Sequence, residues 1–175
     1  MSFFARFAQN RGALIGLIIL VTIILMAISA PLFYPESPWR MVQRPFLPPL
    51  EVDGFPLGTD TMGRNVAAGL MHGAWVSLLI GLVSTLVALM IGVPLGAVAG
   101  YYGGLLDDAL MRFTAFFQTI PNFALAIVLV AIMQPSVTSI VVAIALVSWP
   151  PVARLVRAEF MSLRHREYVE AARLV

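Results

Sequence analysis

Cysteine is absent from the 175 residues, which excludes disulfides, thiolate metal sites and cysteine nucleophiles. Charge is scarce too: 11% of the residues are charged, whereas about a quarter are in a soluble domain. Lysine is missing, so all 11 basic side chains are arginine, against 9 acidic ones. A net charge of +2 is too small to argue for nucleic acid, and no basic run carries interleaved aromatics. No Asp, Glu, Arg or His falls inside the long apolar runs, although proton-coupled carriers and intramembrane enzymes usually need one there. That counts against an ion-driven carrier and suits a pore wall powered from elsewhere. Neither a ring of charge nor a filter-like loop marks a channel, and no catalytic constellation is visible.

What the sequence has instead is apolar: 60% of residues are hydrophobic and the mean hydropathy is +0.92. From Gly12 to Pro35 no charge interrupts the chain, and as a helix this run reaches about 36 Å, enough for a hydrocarbon core of about 30 Å. It predicts a first transmembrane helix at about 12–34. A cleaved signal peptide is the competing reading, with Arg6 and Arg11 as its positive region. The run exceeds the usual apolar length of about 7 to 15 residues, and Pro31 follows the best cleavage point, so a retained helix is preferred.

Residues 36–72 are rich in Pro and turn residues and read as an external loop. The next charge-free run, Gly73 to Leu106, predicts one span at about 75–99 with a turn at "GYYGG". Phe113 to Ala153 is long enough for two spans, about 113–133 and 137–156, separated at "QPS". The expectation is an all-α polytopic membrane protein with four transmembrane helices. Residues 1–72 then form a cytoplasmic segment, first helix and external loop, and 73–175 a core domain with a cytoplasmic segment at 157–175. Arg6, Arg11, Arg112, Arg154, Arg157, Arg164, Arg166 and Arg173 fall on one side of this topology, and Arg40, Arg44 and Arg64 on the other. The positive-inside rule makes the N-terminal segment cytoplasmic. His72 and His165 then lie on opposite sides and share no metal.

Three local patterns stand out. Gly92, Gly96 and Gly100 are spaced four apart, so they share a helix face on which another backbone can come close. "LGTDTMGRN", Leu57 to Asn65, has too few carboxylates for a calcium loop. It reads as a turn-rich entry to the second span, with Asp60 available to cap or to pair with Arg64. After Pro151 an apolar stripe at helical spacing shifts phase at Arg164 to Arg166, predicting two helices that meet at a bend. Beyond it Tyr168, Val169, Ala172 and Val175 form a new stripe, while Glu167, Glu170 and Arg173 lie along another face. An amphipathic helix lying on anionic lipid would turn Glu167 and Glu170 toward a negative leaflet, so protein contact is the better reading.

"EYVEAA", Glu167 to Ala172, resembles the cytoplasmic signature of permease subunits of bacterial ABC importers. "NRGALIGLIIL", "LGTDTMGRN", "GAWVSLLIG", "GVPLGAVAGYYGGLLDDALMR" and "ALVSWPPVARLVRAEF" are similar, in that order, to one branch. That branch is the C-type dipeptide and oligopeptide permeases, whose close relatives carry nickel or glutathione. Asn65 stands where that branch often has Asp, and Ala74-Trp75 where it often has a small residue followed by Arg.

The resemblance implies a type I ABC importer transmembrane domain, with six spans in the family fold, in the bacterial cytoplasmic (inner) membrane. It implies a homologous second permease, two ATP-binding subunits and an external solute-binding protein as partners, with no enzyme activity and no cofactor in this chain. ATP and magnesium would sit on the partner ATPases. Glu167, Tyr168, Glu170, Ala171, Ala172 and Arg173 would contact the ATPase, and the family's next signature residue, a glycine, would follow Val175, so the chain is expected to be truncated within this coupling loop. A non-transporting anchor or scaffold whose tail recruits a soluble partner is the alternative.

Overall fold

The structure, a computed structural model, describes residues 7, 9–167 and 169. Among them it is helical, with α1 at Arg11–Phe33, α2 at Val66–Tyr102, α3 at Gly104–Thr119, α4 at Asn122–Met133 and α5 at Val137–Leu163. The described residues contain no strand beyond two isolated bridges, Met41 with Arg64 and Thr59 with Asn65. Helices α1, α2 and α5 are each long and apolar enough to cross a membrane, and the bent pair α3 and α4 makes a fourth if it is one broken span. The chain divides into two compact units, Met1–Leu79 and Ile80–Val175, and α2 contributes to both.

In the first unit α1 starts where the Asn10 side chain accepts from the Ala13 N–H at 3.1 Å, satisfying one orphan donor of the first turn. Its polar side chains turn back on the helix, Thr22 donating to the Ile18 carbonyl and Ser29 to that of Met26, so neither hydroxyl is left bare in lipid. Pro31 sits in the last turn, where it removes the donor to the Ala27 carbonyl close to the helix end.

The loop that follows is held by its own polar groups. The Thr59 hydroxyl donates to the Arg44 carbonyl at 2.7 Å and accepts from the Leu47 N–H at 2.9 Å. Gly58 and Gly63 have φ of +69° and +74°, and a Cβ on either would run into the carbonyl of Leu47 or Gln43. Asn65 caps α2, its side-chain oxygen accepting from the Ala67 and Ala68 N–H groups at 3.0 and 3.3 Å. The helix therefore begins at Val66, ahead of the expected start near 75, because a cap and an apolar first turn outweigh the His72 that made this stretch look like loop. His72 instead bonds through Nε2 to the Tyr34 carbonyl at 2.9 Å.

In the second unit Ala88, Trp149 and Ala153 form a buried cluster, with Leu95, Phe117 and Leu146 packed against it. Phe113 stacks on Trp149 at 5.9 Å and Phe117 meets it edge-on at 5.3 Å, which fastens α3 to α5. The stretch expected as a span at 113–133 is not one continuous helix. Helix α3 starts at Gly104 and stops at Thr119, and α4 leaves it at 77°. Pro121 causes the break: it offers no N–H, and it holds Ile120 extended at φ −88° and ψ 131°. At the turn into α5 the Ser136 side chain accepts from the Ser139 N–H, and the Ser139 hydroxyl donates to the Gln134 carbonyl at 2.6 Å. Helix α5 continues through Pro150 and Pro151, past the expected end of the span near 156, to Leu163, and Arg164 to Arg166 make a turn where the bend is expected.

Candidate functional site

A polar arrangement of the second unit gathers where α2 ends, α3 begins and α5 makes its last turns. Along α2, the ridge of small residues lets two helix backbones meet. A Cβ on Gly92 would lie 2.8 Å from the Trp149 carbonyl oxygen, one on Gly100 would lie 2.6 Å from that of Arg157, and one on Gly96 would run into the Ala153 carbonyl. Such spacing is below what side chains tolerate, so each position requires glycine for this approach.

One turn beyond Gly100 the chain reverses. Gly103 takes φ +66° and its N–H bonds to the Ala99 carbonyl, so α2 ends and α3 starts across a single residue. Arg164 lies over this corner, its Nη1 standing 2.8 Å from where a Gly103 Cβ would be and 3.5 Å from the Gly100 carbonyl oxygen. Four residues on, Asp107 points at α5. Arg157 donates through Nε to Oδ1 at 2.5 Å and through Nη2 to Oδ2 at 2.6 Å, a two-pronged contact in which both partners are charged. Asp107 is only 7% exposed, so this pair is shielded from water and from salt more than surface pairs are.

The first unit has its own charged knot in the loop between α1 and α2. Asp60 accepts from the Met62 and Arg64 N–H groups through Oδ1 and from Arg64 Nε through Oδ2 at 2.6 Å. The Arg64 backbone N–H is the main cause that holds the Asp60 carboxyl below its ordinary 3.8; partial burial opposes it, and the Met62 N–H and Arg64 side chain add to the lowering. The Arg64 guanidinium also lies 5.4 Å from the centre of the Trp39 ring. Among the described residues no three His, Asp or Glu side chains converge to hold a metal.

Gly92, Gly96 and Gly100 thus line the contact of α2 with α5. Glu167 is exposed just past the Arg164–Arg166 turn. Tyr168, Glu170, Ala171, Ala172 and Arg173 lie outside the described residues. The Asp107–Arg157 pair, fifty residues apart in sequence, was not anticipated from the sequence. Its signal was rarity: between Asp60 and Glu159 the only acids are Asp107 and Asp108.

Residues 92–175 match the model of the family described as "Binding-protein-dependent transport system inner membrane component", and residues 2–49 match that of "N-terminal TM domain of oligopeptide transport permease C". Over 98% of its length the chain is 38% identical to the dipeptide transport system permease protein DppC of Haemophilus influenzae, of which it covers 60%. It is 40% identical, again over 98% of its length, to the di/tripeptide transport system permease protein DppC of Pseudomonas aeruginosa, of which it covers 58%. To the oligopeptide transport system permease protein OppC of Bacillus subtilis it is 35% identical over 95% of its length, covering 54% of that protein. The chain therefore spans a little over half the length of these relatives.

Proposed function

Because the chain belongs to the dipeptide and oligopeptide branch of the binding-protein-dependent transport permeases, we propose that it is part of a permease subunit of an ATP-driven importer. It would line part of the path for di- or oligopeptides, or a related small solute, across the bacterial inner membrane. A homologous second permease, two ATP-binding subunits and an external solute-binding protein would complete the assembly. The chain itself hydrolyses no ATP in this reading and binds no cofactor.

The observation that carries the reading is the course of α5. It runs without interruption from Val137 through Arg154 and Arg157 to Leu163, then turns at Arg164–Arg166 directly ahead of the Glu-Tyr-Val-Glu-Ala-Ala signature. A helix of this length is a stiff lever, so a displacement of the signature segment reaches the apolar part of the unit instead of being absorbed in a loop. In this reading Glu167, Tyr168, Glu170, Ala171, Ala172 and Arg173 meet the ATPase. The two alanines allow close approach, and Glu170 fixes the loop by hydrogen bonds. Closure of the ATPases on ATP would tilt α5 and the helices packed on it, exchanging outward for inward access.

Ala172→Glu in the complete transporter provides the test. Membrane insertion and subunit assembly are expected to persist while uptake of a radiolabelled dipeptide is lost. Undiminished uptake would overturn the assignment of the coupling segment.

A further inference from the structure

We propose that Asp107 is a positioning residue for coupling: by clamping Arg157 it locks the α2–α3 corner to the last turns of α5, so that the corner and the segment after α5 move as one body. The inference rests on the functional reading above and adds to it the element through which the motion spreads.

Four observations converge on this clamp. The Asp107–Arg157 contact is two-pronged and largely shielded, so its geometry is fixed in orientation as well as in distance. It lies two turns of helix before the end of α5 at Leu163, on the helix that leads into the signature. Beside it the backbones touch, the Gly100 position lying against the Arg157 carbonyl, so the pair closes a contact that has no slack. A second arginine, Arg164, reaches from beyond the helix end to the Gly100 carbonyl and over Gly103, so the corner is held from both sides of the α5 terminus. The Phe113 and Phe117 rings fasten the middle of α3 to Trp149 of α5, and leave the α2–α3 corner itself to be held by other groups. A bidentate guanidinium–carboxylate pair sets one register. Asp108, the adjacent acid, acts on Arg157 through its charge, and the two-pronged contact belongs to Asp107.

The experiment uses the full transporter, reconstituted in vesicles with its second permease, ATPases and solute-binding protein. With Asp107→Asn the ATP hydrolysis in the absence of loaded binding protein should remain within about twofold, while its stimulation by loaded binding protein, and dipeptide uptake, both fall about tenfold or more. The exchange Asp107→Arg with Arg157→Asp should recover a substantial part of both. A stimulation ratio equal to wild type in Asp107→Asn would overturn the proposal, whereas a wild-type complex with neither stimulation nor uptake would overturn the functional reading instead.

Should Asp107→Asn fail to assemble, a cross-link decides, since the chain has no cysteine of its own. Asp107→Cys with Arg157→Cys lacks the ion pair, so uptake by the untreated double variant should be reduced, and joining the two thiols after assembly by a short bifunctional thiol reagent should raise it severalfold. Uptake that is unchanged or abolished on cross-linking would overturn the single-body movement.

Discussion

Glycines 81 and 96 lie on the same helix and differ only in what surrounds them, which makes them a controlled pair. A Cβ on Gly96 would run into the Ala153 carbonyl, while one on Gly81 meets nothing within 4 Å. Gly96→Ala should therefore push α2 off α5 and destabilise by about 1–3 kcal/mol. Gly81→Ala should be neutral or stabilising by up to about 1 kcal/mol through the backbone entropy it removes. Thermal unfolding in detergent micelles reads both, and equal shifts would remove the ridge from the α2–α5 contact. Asp60 gives a pH prediction of definite sign. Its folded-state carboxyl titrates below the ordinary 3.8, so the stability it contributes is present above that value and lost as pH falls through the lowered one. Cleavage of the Leu57–Asn65 loop by an acid-active protease should report opening only in that acid window, and with Asp60→Asn the loop should be open to proteolysis at neutral pH as well. The glycine ridge was legible because period four names one face of one helix. The Asp107–Arg157 pair was not, because periodicity gives the face of each helix and says nothing of the register between two helices.

Each charge-free run holds helix, but charge-free length alone does not show where a helix starts or breaks: α2 starts at Val66, ahead of its run, and α3 opens through Asp107, Asp108 and Arg112. Asn65 marks the start of α2 by an ordinary cap, but its cap signal lay within a stretch whose Arg64 and His72 suggested loop. The end of α5 is the exception: it runs past Ala153, where the charge-free stretch stops, to the bend expected at Arg164–Arg166, since arginine is a good helix former and its charge alone stops nothing. The break inside the 113–133 run is the plainest case. A charge-free stretch of that length fits a span, yet Pro121 outranks hydropathy because it denies a donor and constrains Ile120 at once. Spin labels placed at Phe116→Cys and Ile127→Cys, both well exposed, should therefore report a longer separation when Pro121→Ala is added. The separation should move toward the roughly 16 Å that eleven residues of straight helix span. An unchanged distance would assign the 77° bend to packing of the flanking helices and not to the proline.

For the chain as a whole, the arginine distribution makes the strongest claim, because sidedness involves every span at once. Eight arginines precede or begin α1, lie in α3 or occupy the end of α5 and beyond, against three, Arg40, Arg44 and Arg64, in the loop between α1 and α2. Each of those three is engaged: Arg40 with Glu36, Arg44 with Glu51 and Arg64 with Asp60. Partial neutralisation of this kind lowers the cost of carrying the loop across a membrane, whereas Arg154 and Arg166 are exposed with no acidic partner within salt-bridge distance among the described residues. The loop is thus expected outside and the segment after α5 in the cytoplasm. The absence of cysteine makes the test direct, since any introduced thiol is the sole one in the chain. In intact spheroplasts of cells carrying the complete transporter, Met62→Cys, which is 58% exposed, should react with a membrane-impermeant maleimide. His165→Cys should react only after permeabilisation. The reverse pattern would invert the topology and place the Glu167–Arg173 segment where no cytoplasmic ATPase could reach it. Labelling of both positions from outside would remove one of the spans between them, and with the apolar lengths of α2 and α5 unambiguous, that span would have to be the α3–α4 pair, folded back as a re-entrant segment at Pro121.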